Sequence, residues 1–266
     1  MTLHQEADVV VSPATDAIRI VPLHVSGDLL APTVGPAAAP HLTYRNGPLL
    51  TNVKVFTVYW GAEWESSPLD ATATDLDNFF GTILTSPLID QLAEYGVAGR
   101  PIGHGSWIGR AVVTTPAHKH VVADTRIQHM LSREISGNAA FPTPDDNTLF
   151  FVYLPPGVAV VQGGSRSCQA FCGYHNNFTG ADGSNLYYAA MPYPGCQGCT
   201  AGLTDFDALT STSSHELCEA ITDPVPGQGW YDDVNGEIGD ICAWKSRKLG
   251  AYTVQLEWSN GAGSCL

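Results

Sequence analysis

Positive charge is scarce in this sequence. Only 12 lysines and arginines face 26 aspartates and glutamates over 266 residues, a formal net charge of −14. No Lys/Arg cluster interleaves with aromatics, which excludes nucleic acid and anionic membrane surfaces as partners, because phosphate binding needs concentrated positive charge. A cation is the better match. No stretch approaches the roughly 18–20 uninterrupted apolar residues that a spanning helix needs, so no membrane span is expected. The start, Met1 to Leu30, lacks a basic region followed by an apolar one, and no secretory signal is read there. There is no G-x-S-x-G and no Gly-rich loop ending in Lys-Ser/Thr, which removes serine-elbow hydrolases and P-loop enzymes from consideration. No internal repeat is present, and no cysteine precedes Cys168.

What is present describes a folded chain. Hydrophobic residues make up 44% and charged residues 14%, far from the composition of disordered proteins. Pro13, Pro22, Pro32, Pro36 and Pro40 mark residues 1–45 as a Pro/Ala-rich arm or linker, and 46–266 are expected to form a single α/β domain. Seven cysteines (Cys168, Cys172, Cys196, Cys199, Cys218, Cys242 and Cys265) crowd the C-terminal part. That clustering points to local cross-links or a metal knuckle, and with so little lysine it suggests an oxidising compartment.

Periodicity places the elements. Asn52 to Trp60, Trp107 to Thr114, Thr148 to Leu154, Leu186 to Met191 and Tyr252 to Trp258 read as strands. Asp70 to Leu84, Pro87 to Tyr95, Ala123 to Ser136 and Asp207 to Ile221 read as helices. Strands alternating with helices, then mixed connections, predict a mixed β-sheet flanked by helices with a Cys-rich C-terminal part.

Chemistry concentrates in Ser213-Ser214-His215-Glu216-Leu217-Cys218-Glu219. On a helix, residues four apart project side by side, so His215 and Glu219 can grip one ion. Glu216, about 100° round the axis, can reach a metal-bound water without being a ligand. This is the logic of H-E-x-x-H sites with a carboxylate in place of the second imidazole. One imidazole with carboxylates suits zinc and also the harder manganese or calcium. Glu237 and Asp240, three apart in the later acidic loop, are candidates to complete the set, and Asp223 is a further choice. A bland alternative stands beside this one. Ser213-x-x-Glu216 also has the spacing of a capping box, which would leave His215 and Glu219 as an ordinary i, i+4 pair.

The string His215 to Pro224, HELCEAITDP, with Gly229-Trp230-Tyr231-Asp232 and Gly236 to Cys242, resembles the EXORDIUM / phosphate-induced protein family. Asn147 to Gly157, Phe171 to His175, Tyr188 to Pro192 and the Cys196-x-x-Cys199 pair resemble it in matching order, over roughly Tyr44 to Trp244. The resemblance implies a secreted or cell-wall-associated protein with a zincin-like His-Glu helix, and no established reaction. On that basis the expected activity is a metallopeptidase-like hydrolase acting on a peptide or cell-wall substrate, with Glu216 as general base. The strand Leu186 to Met191 is then expected to be an edge that aligns a peptide by backbone pairing. The alternative is a non-catalytic extracellular interaction protein holding a structural cation. Cys218 stands where the family would have a small residue, which leaves it the unpaired member of seven.

Given a secreted protein, Cys168/Cys172 and Cys196/Cys199 are expected to be linked by two disulfides, with a zinc knuckle as the alternative, and Cys242 and Cys265 by a third. His175 lies in a Gly- and Asn-rich segment that reads as a turn. It can donate a second imidazole or serve as a hydrogen-bonded structural histidine.

Overall fold

Alternation along the strands determines what faces each side of the central sheet. The computed structural model describes residues 39–266, so nearly all of the 1–45 arm and the region examined for a signal lie outside the described residues. The end of that arm is tied down, since Leu42 is buried and Thr43–Tyr44 pairs antiparallel with Trp230–Tyr231.

The sheet contains β1 (Lys54–Trp60), β2 (Ser106–Val113), β3 (Thr148–Tyr153), β4 (Tyr174–Thr179) and β5 (Asn185–Met191), in the order β2-β1-β3-β5-β4. The first four in that order run parallel, and β4 is antiparallel to β5 at the edge. The fold is mixed α/β, as the element pattern predicts. Side chains one apart separate onto opposite faces. Leu149, Phe151, Tyr153, Tyr187, Ala189 and Met191 enter one core, while Phe150, Val152, Tyr188 and Ala190 enter the other.

Helices cover both faces, which explains why the inner strands read as unbroken apolar runs. Helix α1 (Leu69–Ile83) packs Leu76, Phe79, Phe80 and Ile83 into the first core. Helix α2 (Asp124–Gly137) packs Ile127, Met130 and Leu131 into the second. Each such side chain contributes about 1.5–3 kcal/mol on burial. The long helix α3 (Asp205–Thr222) shares the α1 side and lies between β5 and the hairpin formed by Ser246–Leu249 and Tyr252–Gln255.

Two expectations need correction. Tyr174 to Thr179 is a strand and not a turn, because its asparagines lie on a sheet edge where backbone pairing with β5 outweighs their weak strand propensity. Leu186 to Met191 is consequently an inner strand, hydrogen-bonded on both sides, and β4 is the edge. The three disulfides are Cys168–Cys196, Cys172–Cys199 and Cys242–Cys265, with Cys218 free and buried, as the cysteine reading anticipates. Among the described residues no helix is long and apolar enough to cross a membrane.

Candidate metal centre

Helix α3 starts at Thr204, whose side chain accepts a hydrogen bond from the Asp207 amide at 3.1 Å, and Asp205 and Asp207 in its first turn suit the helix dipole. Ser213 and Glu216 therefore lie in mid-helix, which removes the capping-box reading. Burial on almost every side obliges α3 to satisfy its own polar groups. Ser213 Oγ meets the Tyr153 hydroxyl at 2.7 Å, Thr210 donates to the Thr253 carbonyl at 2.8 Å, and Ser214 Oγ accepts from the Gln255 amide at 2.8 Å. The helix is thus fixed to the sheet on one side and to the hairpin on the other.

Within this otherwise satisfied helix, His215, Glu216 and Glu219 are the exceptions. All three are at most 1% exposed. His215 Nε2 lies 3.0 Å from Glu219 Oε1, yet neither His215 nitrogen is aligned for a hydrogen bond with any group. Glu216 Oε1 and Glu219 Oε2 likewise lack partners.

The strand register brings in a second imidazole. Tyr174 faces the second core and donates to Asp124 at 2.6 Å, so His175, its neighbour on β4, faces α3. His175 Nε2 donates to the Asp223 carbonyl at 3.1 Å, while Nδ1 stands 3.3 Å from Glu216 Oε2 and 3.5 Å from Glu219 Oε2. Glu237 Oε1 lies 3.5 Å from His175 Nε2, and both oxygens of this fully buried side chain lack hydrogen-bond partners. Asp240 joins His215 and Glu219 within one ligand-sized group, and its backbone amide donates to Glu219 Oε1 at 3.1 Å.

Asp223 is not part of this set. Its carboxylate accepts from the amides of Gly227, Gln228 and Gly229 and serves to close the loop after α3. The acidic loop is held from below by Gln255, which donates to the Gly239 carbonyl at 2.9 Å, and Gly239 lies against the His215 ring.

Sequence reasoning missed Glu257 entirely. It is fully buried, both its oxygens are unpartnered, and the charge on His215 acts on it. Its signal was a lone carboxylate inside the apolar run Tyr252 to Trp258.

Electrostatics follow from burial. Burial alone would lower both imidazoles, but Glu237, Glu216 and Glu219 hold His175 well above its ordinary value, and Glu219 with Glu216 does the same for His215. Burial raises Glu216, and raises Glu237 and Glu257 strongly. Glu219 alone goes the other way: burial opposes its ionisation, but His215 and His175 outweigh it and lower the carboxyl to about 2. Full ionisation of four buried glutamates beside two imidazoles would leave an excess of negative charge, and each uncompensated ion costs several kcal/mol to bury, so burial favours the protonated carboxyl on all but Glu219. A bound cation would balance that excess.

No family model matches the chain. Protein EXORDIUM-like 5 of Arabidopsis thaliana is 23% identical over 240 residues, a match covering 76% of this chain. The match spans 64% of that relative's own length. This similarity supports the resemblance to the EXORDIUM family carried by the HELCEAITDP segment.

Proposed function

We propose that the chain is a secreted metal-dependent hydrolase, most similar in logic to a zincin-like peptidase, acting on a peptide or cell-wall substrate. The carrying observation is that His215, Glu219 and Asp240 form one ligand-sized group and His175, Glu216 and Glu219 another, and that both His215 nitrogens, Glu216 Oε1, Glu219 Oε2 and both Glu237 oxygens are buried without hydrogen-bond partners. Imidazole nitrogen and carboxylate oxygen together suit zinc, and accept manganese or calcium. His215, Glu219 and Asp240 would hold the ion, with Glu237 beside them. When bound, such an ion polarises a carbonyl and acidifies a water.

The protein's own part is positioning and proton transfer. Glu216, held by His175, accepts the proton of the attacking water and returns it to the leaving amine, a role that its raised pKa suits. The antiparallel edge strand β4, beside the helix that carries HELCE, supports the zincin-like comparison and provides a free edge for an extended substrate. Three disulfides support an extracellular setting.

Closure of the centre favours a second reading. His215, Glu216, Glu219 and Glu237 are all at most 1% exposed, which suits a cation that only fastens α3 to the acidic loop. Metal analysis of the purified chain and of Glu216→Gln, each assayed on a mixed peptide library, separates the two. We expect metal in both and cleavage by the unaltered chain alone. Metal with no cleavage by either would favour the structural cation, and no metal in either would overturn both readings.

A further inference from the structure

We propose that the centre holds two divalent cations, bridged by the carboxylate of Glu219. The inference rests on the cation reading above and goes beyond it in number and geometry.

The two oxygens of Glu219 face different imidazoles: Oε1 lies 3.0 Å from His215 Nε2, and Oε2 lies 3.5 Å from His175 Nδ1. Around them are two ligand-sized groups, His215/Glu219/Asp240 and His175/Glu216/Glu219, which share Glu219 alone. The His175 side is the unassigned one, and its geometry argues for an ion. His175 Nδ1 faces Glu216 Oε2 at 3.3 Å and Glu219 Oε2 at 3.5 Å, while Nε2 donates to the backbone carbonyl of Asp223. A ring fixed through its far nitrogen by a carbonyl is how a protein orients an imidazole toward a metal. A further observation agrees. Glu219 Oε2 and both oxygens of Glu237 are buried without hydrogen-bond partners. In this arrangement Glu216 meets the second ion through Oε2 and keeps the unpartnered Oε1 for the proton role given above.

The experiment is metal counting on the full, disulfide-intact chain, stripped with a chelator, reloaded with Zn²⁺ and dialysed. We expect two equivalents per chain, one after His175→Gln, one after His215→Gln and fewer than one after Glu219→Gln. Two equivalents that survive His175→Gln overturn the assignment. One equivalent in the unaltered chain overturns the pair and leaves the cation reading intact, and no metal overturns both. Mn²⁺ loading of the unaltered chain needs no variant to fold. An exchange-coupled pair in its EPR spectrum is the expected result, and the six-line signal of an isolated ion at full loading would overturn the proposal.

Discussion

Gly239 stands against the ring of His215 so closely that a methyl group on its Cα would lie 2.7 Å from His215 Nδ1 and 2.9 Å from Glu219 Oε1. Its backbone cannot retreat easily, because Gln255 holds the Gly239 carbonyl and Asp240 bonds Glu219 from the next residue. Gly239→Ala is expected to push both candidate ligands apart. The overpacking should cost about 1–3 kcal/mol, and metal affinity should fall at least ten-fold by a competition titration with a chromogenic chelator. Unchanged affinity would show that His215 and Glu219 do not hold the ion together.

Acidity should act on the metal-free chain in an unusual direction. His175, His215, Glu216, Glu237 and Glu257 all have folded pKa values raised above their ordinary ones, of 6.5 for imidazole and 4.5 for the glutamates. The folded state therefore binds more protons than the unfolded one, and stability falls as pH rises, from about 4.5 for the carboxyls and about 6.5 for the imidazoles. Glu219, lowered to about 2, has the opposite sign and loses its contribution only as pH falls below 4.5. Thermal melts with a chelator should show a lower Tm at pH 8 than at pH 5.5. Added Zn²⁺ should raise the Tm more at pH 8, since ligands must be deprotonated to bind. A chelated chain that is more stable at pH 8 would contradict this electrostatic account.

Glu257→Gln separates charge from packing. The amide keeps the shape of the side chain and removes a carboxyl that burial makes costly to ionise. In the chelated chain it should add roughly 1–3 kcal/mol of stability at pH 8 and almost nothing at pH 4.5, as measured by urea unfolding at both. Equal effects at the two pH values would mean that the charge of Glu257 is already balanced.

The Cys242–Cys265 bridge closes the segment that carries Glu257 and the hairpin under α3. With its cysteines separated by 23 positions in the sequence, the replacement of both by serine should cost about 3 kcal/mol. The loss of stability should be accompanied by weaker metal retention on dialysis. Retention equal to that of the unaltered chain would show that the hairpin does not support the centre.

Much of this was legible in the residues. The helical spacing of Leu76, Phe79, Phe80 and Ile83, and of Ile127, Met130 and Leu131, located α1 and α2 within a residue or two, because amphipathic period is a local property. His215, Glu219 and Asp240 were named for the same reason: two lie one helical turn apart, and the third is in an acidic run. Residues whose role depends on pairing across the sheet were harder to read. His175 belongs to the centre only because β4 is a strand, and its asparagines conceal that. Glu257 reaches His215 from a segment whose placement is set by the hairpin and by a bridge to Cys265, neither of which leaves a periodic trace. Closure of the whole group against solvent is a property of assembled layers, and no single stretch encodes it.

Strand β4 shows how much depends on a parity of one. Tyr174 and His175 are neighbours, and the pleat directs the phenol to α2 and the imidazole to α3. Were β4 to slide a single position along β5, a tyrosine would sit among the glutamates and the histidine would face Asp124. The turn that sets this parity is the short link after Thr179, where Gly180 bonds Ser184 and Gly183 takes a positive φ. An insertion at that remote surface bend would therefore rewrite the chemistry at the other end of the strand, with no residue of the centre having changed.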